Sequence, residues 1–88
     1  MSAINTVCTL EVLLFAVASD LAGANSITVE AALPIKASDL MTEIGKTCPA
    51  LIPWLASCRL AVDQTFVSGD HVINQLVEVA LIPPVSGG

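Results

Sequence analysis

Residues 77–88 read Val-Glu-Val-Ala-Leu-Ile-Pro-Pro-Val-Ser-Gly-Gly, an apolar segment followed by two prolines and a glycine-rich end. The apolar segment, residues 77–82, predicts the last β-strand, and Pro83 marks its exit because proline cannot donate to a strand ladder. Six residues in polyproline II geometry reach about 19 Å beyond that strand, at about 3.1 Å per residue. Glycine adds no bulk and accepts backbone angles closed to other residues. Residues 83–88 are therefore predicted to form an extended tail that can enter a narrow pocket of another protein.

The length of 88 residues predicts one domain, residues 1–82, to which the tail, residues 83–88, is attached. Hydrophobic residues make up 55% of the chain and the mean hydropathy is +0.82, whereas only 12% of residues are charged. These values are high for so small a chain. We therefore expect part of the apolar surface to stay outside the core as a docking face.

The formal net charge is −5, and the only cations are Lys36, Lys46 and Arg59. An acidic chain is a poor ligand for nucleic acid or an anionic membrane, so we expect neither and favour a basic protein surface as partner. Residues 12–18 form an uninterrupted apolar segment that is too short to span a bilayer.

Cys8, Cys48 and Cys58 are odd in number and widely spaced, without a Cys-x-x-Cys pair or a histidine cluster. This pattern argues against a disulfide framework and against a metal site, and it favours a reducing compartment, the cytosol. Two interpretations of the thiols remain open at this point: small buried hydrophobes, which isolated cysteines usually are, or groups that take part in the chemistry.

Hydrophobic periodicity predicts the order of the elements. Residues 9–16 are expected to form a central strand that is apolar on both faces because something packs on each side. Residues 26–31 alternate as a half-buried strand that pairs with the first as a hairpin, and residues 36–46 have the spacing of one amphipathic helix. Residues 51–55 are expected to form a short second helix from which Trp54 covers an edge of the core.

Two further strands, residues 60–62 and 65–67, flank a polar turn at Asp63 and Gln64. The resulting order is strand, strand, helix, strand, short strand, strand. It predicts an α+β chain with the β-grasp fold, in which a mixed sheet of about five strands packs on one main helix and the tail protrudes.

The sequence contains no self-sufficient catalytic constellation. His71 is the only histidine, no serine has a base at a recognisable spacing, and no glycine-rich phosphate loop is present. We expect no cofactor on this chain, so any ATP must be bound by a partner.

Several stretches together resemble one family. Residues 78–88, residues 12–16 with the following turn at 20–23, and residues 61–67 are similar to the sulfur-carrier subunits of molybdopterin synthases, which are ubiquitin-like proteins. Ser19 stands where many members have an arginine, and residues 75–78 replace a Gly-Asp turn that usually precedes the last strand. Carriers of the thiamine pathway and of transfer RNA thiolation also end in Gly-Gly, but they usually lack the Pro-Pro-Val-Ser lead.

This resemblance implies a function for the tail. An E1-like adenylyltransferase and sulfurtransferase is expected to adenylate Gly88 with ATP, after which a persulfide converts the glycyl adenylate to a thiocarboxylate (1-thioglycine). The charged tail would donate sulfur to cyclic pyranopterin monophosphate and so form the molybdopterin dithiolene of the molybdenum cofactor. The residues expected to lie inside the partner are Pro83, Pro84, Val85, Ser86 and Gly87.

The resemblance also implies a partner, the large catalytic subunit of molybdopterin synthase, in a heterotetramer with one small subunit at each end of a central dimer. Phe15, Phe66 and Ile82 align with the family's docking positions, and the alternative is that they belong to the core. Two other classes of function stay open. A ubiquitin-like modifier would join Gly88 to lysines, whereas a passive adaptor would not need the glycines.

Overall fold

The computed structural model describes residues 6–84, which form seven strands, three α-helices and one 3₁₀ turn. In chain order these are β1 (Thr6–Leu14), α1 (Ala16–Ala22), β2 (Ser26–Leu33), β3 (Ile35–Lys36), α2 (Ala37–Thr47), the 3₁₀ turn (Pro49–Leu51), α3 (Ile52–Leu55), β4 (Arg59–Val62), β5 (Thr65–Val67), β6 (Val72–Ile73) and β7 (Val79–Ile82).

The main sheet has five strands in the order β2-β1-β7-β4-β5. Strands β1 and β7 are parallel neighbours at its centre, whereas the β1–β2, β4–β7 and β4–β5 pairs are antiparallel. A separate two-stranded ribbon joins β3 to β6. The predicted mixed sheet, the central position of the first strand and both hairpins are confirmed.

The core lies on one side of the main sheet, under α2. This helix buries Leu40 and Ile44 completely and carries Asp39 in its first turn and Lys46 in its last turn, where they complement the helix dipole. The predicted helix, residues 36–46, is confirmed to within one residue at each end. The buried cluster consists of Leu10, Val12, Leu14, Ala18, Val29, Ala31, Leu33, Ala37, Leu40, Ile44, Leu51, Leu60, Val62, Ile73, Val79 and Leu81.

The other side of the main sheet is open, and the expectation that β1 is covered on both faces is wrong. Leu10, Val12 and Leu14 are buried, but Thr9 and Glu11, which alternate with them, are exposed. In the described part of the chain, all three α-helices contain or contact core residues, so they lie on the side of the main sheet that holds the core. The uninterrupted apolar segment, residues 12–18, begins in β1 and continues into α1. Read as a single strand, it predicted a strand that is apolar and covered on both faces.

Helix α1 was not predicted, because its residues were divided between the first strand and a turn. The strand ends at Leu14, and the chain turns at Ala16, whose φ is 52°. Alanine is the best helix former, so this alanine-rich segment forms two turns of helix with Ala18 against the core. Gly23 ends the helix at φ 71°, a left-handed conformation that suits glycine, and its N–H donates to the Ser19 carbonyl at 2.9 Å.

The short second helix is confirmed as α3, but the expected role of Trp54 is wrong. Its side chain is 39% exposed, because α3 approaches α2 through Ile52 and Leu55 instead. A Cβ on Gly45 of α2 would lie 3.0 Å from Leu55 Cδ1 and 3.1 Å from Ile52 Cγ1. The absence of a side chain at Gly45 therefore lets the two helices meet. The ribbon strands β3 and β6 were not predicted, since two residues are too few to show a period.

The turn between β4 and β5 is strained. Asp63 and Gln64 have φ angles of 51° and 68°, as in the type I′ turns that suit tight hairpins and favour glycine at the second position. The Asp63 N–H also donates to the Glu78 carbonyl at 2.9 Å, which ties the turn to the start of β7.

Replacing Gln64 with glycine should raise the free energy of unfolding by about 0.5–1 kcal/mol. Glycine removes the steric cost of the left-handed conformation, which exceeds the extra chain entropy that glycine loses on folding. Urea denaturation of both proteins measures the difference.

The matched variant is Gly23→Ala, which should lower the free energy of unfolding by about 1 kcal/mol. A Cβ at this position meets nothing within 4 Å, so any loss reports backbone strain alone. Equal stability of Gln64→Gly and the unmodified chain would contradict the assignment of strain to this turn.

Candidate functional site

The open face of the main sheet presents a continuous row of side chains. Pairing across the sheet aligns Leu13 with Ala80, Ala80 with Ala61, and Ala61 with Phe66. Directly paired residues point to the same side of a sheet. This row therefore crosses four strands on the side away from α2, and its members are apolar.

A recess of about 300 Å³ lies in this row, and we name it the aromatic recess. Its floor contains Ala61 and Ala80, whose small side chains leave space between larger neighbours. The complete lining consists of Leu13, Phe15, Ala61, Gln64, Phe66, Glu78, Ala80 and Ile82. An apolar concavity of this kind can accept an apolar side chain of a partner.

The structure brings the three predicted docking residues together in the aromatic recess. Phe15 follows β1, Phe66 lies on β5 and Ile82 ends β7, so they come from distant parts of the chain. The alternative core interpretation is wrong for the two phenylalanines, which are 47% and 51% exposed, while Ile82 is half-buried. Contact of these residues with a partner stays a prediction.

The position of Phe15 depends on the turn at Ala16. Phe15 is extended, with φ −129° and ψ 153°, and its carbonyl accepts the Ala18 N–H at 3.0 Å as α1 begins. The left-handed backbone at Ala16 bends the chain toward the helix side immediately after Phe15. Such conformations are costly for alanine and tend to persist where the surrounding structure needs the bend. Here the bend leaves the Phe15 ring on the open face.

The tail begins at the rim of the same recess. Strand β7 ends at Ile82, Pro83 is buried outside the strand and Pro84 is exposed. The remaining predicted tail residues, Val85, Ser86, Gly87 and Gly88, lie outside the described residues. A chain that leaves the sheet here starts beside Ile82 and therefore beside the aromatic recess.

Arg59 adjoins the recess, although the sequence analysis treated it only as one of three cations. Its guanidinium carbon lies 4.2 Å from the centroid of the Phe66 ring, within the range of a cation–π interaction. Arg59 also pairs with Ile82 in the β4–β7 ladder. The signal for its position was the alternation of β4, because Arg59 and Ala61 share one face while Leu60 and Val62 are in the core.

Ser19 has a local structural role. Its hydroxyl lies 3.0 Å from both the Ala24 carbonyl oxygen and Asn25 Oδ1. It therefore helps close the loop between α1 and β2.

The described residues contain no group of three or more His, Cys, Asp or Glu side chains that could hold a metal ion. Within residues 6–84, no helix is long and apolar enough to cross a membrane. His71 is exposed and its backbone N–H donates to the Ser68 carbonyl at 3.1 Å. The aromatic recess is lined mainly by apolar side chains, which are the chemistry of a contact surface.

A larger groove, of about 500 Å³, lies between α2, the end of α3 and the β4–β5 hairpin, and Arg59 also lines it. Cys58 lines it and is half-buried, and burial raises the pKa of this thiol above its usual value. Raising the pKa lowers the thiolate fraction at neutral pH, and the thiolate is the reactive form. Cys8, Cys48 and Cys58 all pack partly buried against the core, as expected of small hydrophobes.

Cys58 should react more slowly with iodoacetamide at pH 8 in the folded chain than in the chain unfolded in urea. Because burial raises the pKa of Cys58, its thiolate fraction should rise at a higher pH in the folded chain than in the unfolded chain, so the folded-state rate should still be rising where the unfolded-state rate levels off. Peptide mapping by mass spectrometry gives the rate at this residue. Equal rates in the folded and unfolded chain at pH 8 would contradict the raised pKa.

The fold is that of a ubiquitin-like β-grasp protein, and one face of its sheet carries an exposed apolar recess. The structure is similar to SAMP1 from Haloferax volcanii, with a TM-score of 0.81 and 22% identity over 92% of this chain and 100% of that one. It is also similar to a putative molybdopterin converting factor, subunit 1, from Pyrococcus furiosus. The TM-score there is 0.75 and the identity 26%, over 88% of this chain and 98% of that one.

The sequence comparisons agree with this class. The profile of the ThiS family matches residues 12–88, and the chain belongs to that family. The molybdopterin synthase sulfur carrier subunit of Homo sapiens is 38% identical over 84 residues, which cover 92% of this chain and 96% of the relative. The subunit of the same name from Chlamydomonas reinhardtii is 35% identical over 81 residues, 90% of this chain and 98% of the relative. The resemblance inferred from the sequence is confirmed.

Proposed function

We propose that this chain is the sulfur-carrier subunit of a molybdopterin synthase. The observation that carries the proposal is the match to relatives of that name, which is 38% identical over 84 residues in the human case. The family match also extends through residue 88, so the proline and glycine tail lies within the region that the family shares. The exposed aromatic recess beside the start of the tail supports a carrier that docks by its sheet and reacts by its end.

The reaction proposed for Gly88 begins with activation. A free carboxylate is a poor electrophile because it is anionic and has no good leaving group. An E1-like partner therefore joins the carboxylate to the α-phosphate of ATP and releases pyrophosphate. A persulfide sulfur of a sulfurtransferase then attacks the acyl carbon, and AMP leaves. Reductive cleavage of the sulfur–sulfur bond by a thiol leaves the C-terminal thiocarboxylate.

The carrier then delivers its sulfur inside the partner. We propose that residues 83–88 enter the large catalytic subunit, which binds cyclic pyranopterin monophosphate, while the aromatic recess receives apolar side chains of that subunit. The sheet gives a fixed register and the tail gives a reach of about 19 Å. Sulfur passes to the pterin side chain and the tail returns to a carboxylate, so that two charged carriers supply one dithiolene. The chain acts as sulfur donor in a heterotetramer in the cytosol, and it has no active site of its own.

A second candidate is a ubiquitin-like modifier. The similarity to SAMP1, a small archaeal modifier protein, favours it, but at 22% identity this similarity shows the fold alone. Both functions need an adenylated Gly88. Intact mass after incubation with the activating enzyme separates them, since a carrier gains one oxygen-to-sulfur exchange, whereas a modifier forms isopeptide ladders on lysines. A carrier needs no cysteine of its own, so the variant with Cys8, Cys48 and Cys58 all changed to alanine should still gain sulfur at Gly88.

Adding one alanine after Gly88 should abolish thiocarboxylation and dithiolene formation while leaving the fold and docking intact. The extension moves the reactive carboxylate by about 3 Å and adds a methyl group where the channel admits glycine. Misplacement on this scale costs on the order of a hundredfold in rate. Intact mass measures sulfur loading, and calorimetry with the large subunit measures docking.

Full sulfur transfer by the extended protein, with no trimming back to Gly88 in the mass spectrum, would overturn the carrier proposal. A chain ending at Val85 is the matched control, since it removes the reactive end and keeps the aromatic recess. It should still bind the large subunit, although more weakly than the full chain, and it should not load sulfur.

Replacing Phe66 with aspartate should weaken binding to the large subunit by at least about 2 kcal/mol, because a buried aromatic anchor would become a desolvated charge. The control is Val72→Asp, which changes another exposed apolar residue, 48% exposed, on the separate ribbon. Circular dichroism and thermal unfolding establish that both variants fold. Unchanged binding of a folded Phe66→Asp protein would remove this residue from the interface.

A further inference from the structure

The charges on the open face are separated along the sheet. Pairing places Glu11 opposite Thr28, and Thr9 opposite Glu30, so two carboxylates lie on the β1–β2 side of the open face. Glu78 lines the aromatic recess just before β7. Arg59 lies beyond β7, on β4. Glu78 stands four residues before Ile82, the partner of Arg59, so the strand positions of Glu78 and Arg59 are about 13 Å apart along the sheet, at about 3.3 Å per residue.

Arg59 is the cation of the open face among the described residues. Lys46 is on α2, where its ammonium lies 3.3 Å from Glu43 Oε2, and Lys36 is on the ribbon strand β3. Within residues 6–84, no carboxylate lies within ion-pair distance of Arg59. Its hydrogen-bonding edge is therefore not used by an acid in this part of the chain.

The Phe66 ring holds the guanidinium in place without using its donors. The Arg59 guanidinium carbon lies over the Phe66 ring, 4.2 Å from its centroid, and none of the described residues forms a hydrogen bond with the guanidinium. Planar, bidentate pairing with a carboxylate is the contact that this arrangement favours. Because the side chain is already held, less rotamer entropy is lost when a partner binds.

We propose that Arg59 is a specificity-determining residue of the docking face and binds a carboxylate of the partner protein beside the start of the tail. This inference rests on the proposed function, because it takes the large subunit as the partner. The subunit presents an acidic side chain to Arg59, an apolar centre to the aromatic recess and basic side chains to Glu11 and Glu78. Apolar contacts alone permit several orientations, whereas this charge order allows one.

The proposed orientation matters for the tail. Arg59 pairs with Ile82, the last residue of β7, so its carboxylate partner lies at the point where the chain leaves the sheet. A contact there fixes the direction in which residues 83–88 start. Arg59 thus acts as a positioning residue for Gly88, although it does not touch the reacting atoms.

The test compares Arg59→Glu, Arg59→Gln and Arg59→Lys in the full chain, with Lys36→Glu as the matched control. Lys36→Glu makes the same change in net charge on an exposed residue outside the open face. Calorimetry with the purified large subunit should show about a hundredfold weaker binding for Arg59→Glu and about tenfold weaker binding for Arg59→Gln. Arg59→Lys should lie between Arg59→Gln and the unmodified chain, because an ammonium cannot pair bidentately. Lys36→Glu should bind within about threefold of the unmodified chain.

Salt dependence separates ion pairing from a purely structural stacking role. Binding of the unmodified chain should weaken as sodium chloride rises, and Arg59→Gln should show a smaller dependence. Changing the partner's surface carboxylates one at a time to lysine should identify one variant that restores binding of Arg59→Glu.

Two results would overturn the proposal. The first is binding of folded Arg59→Glu that is no weaker than that of Lys36→Glu. The second is a salt dependence that is identical for Arg59→Gln and the unmodified chain, which would assign Arg59 to stacking on Phe66 alone. If added phosphate also weakens binding of the unmodified chain through Arg59, the ligand of Arg59 is an anion other than a protein carboxylate. Failure of the unmodified chain to bind the large subunit at all, or to load sulfur, counts instead against the proposed function.

Discussion

The parallel pairing of β1 with β7 is the constraint on which the rest of the structure depends. It aligns Val12 with Val79 and Leu14 with Leu81, and all four side chains are buried. Parallel neighbours cannot be joined by a tight turn, so the chain between them must form a long crossover. That crossover carries α2 over one face and supplies β2, β4 and β5 as flanking strands. The last strand consequently ends in the middle of the sheet, and the tail leaves from a rigid centre.

Much of this fold could be predicted from local patterns. The alternation of residues 26–31, the helical spacing of Leu40 and Ile44 and the polar turn at Asp63 each depend on near neighbours in the sequence, and each was found. Helix α1 was missed because its alanines continue the apolar run of β1, and composition does not mark where a strand ends and a helix begins. The bend at Ala16 is a left-handed backbone conformation, and no glycine or asparagine at that position indicates it in the sequence.

The candidate site, like the fold, could be predicted only in part from the sequence. A family resemblance predicted docking positions at Phe15, Phe66 and Ile82. The sequence alone could not decide whether these side chains lie in the core or on the surface. That decision depends on what covers the second face of the sheet, which is a tertiary property. The alanine floor of the recess and the stacking of Arg59 on Phe66 depend on the register of β7 against β4 and of β4 against β5. A register between strands that are distant in sequence cannot be read from either strand.

The burial of Pro83 has a consequence for the thermodynamics of insertion. A residue that becomes ordered only on binding costs about 1–2 kcal/mol of backbone entropy. Pro83 is already packed against the body of the protein, and the ring of Pro84 fixes its φ angle before any partner arrives. The first two positions of the tail therefore add little to the entropic cost of entering a channel, and more of the contact free energy with a partner remains as affinity.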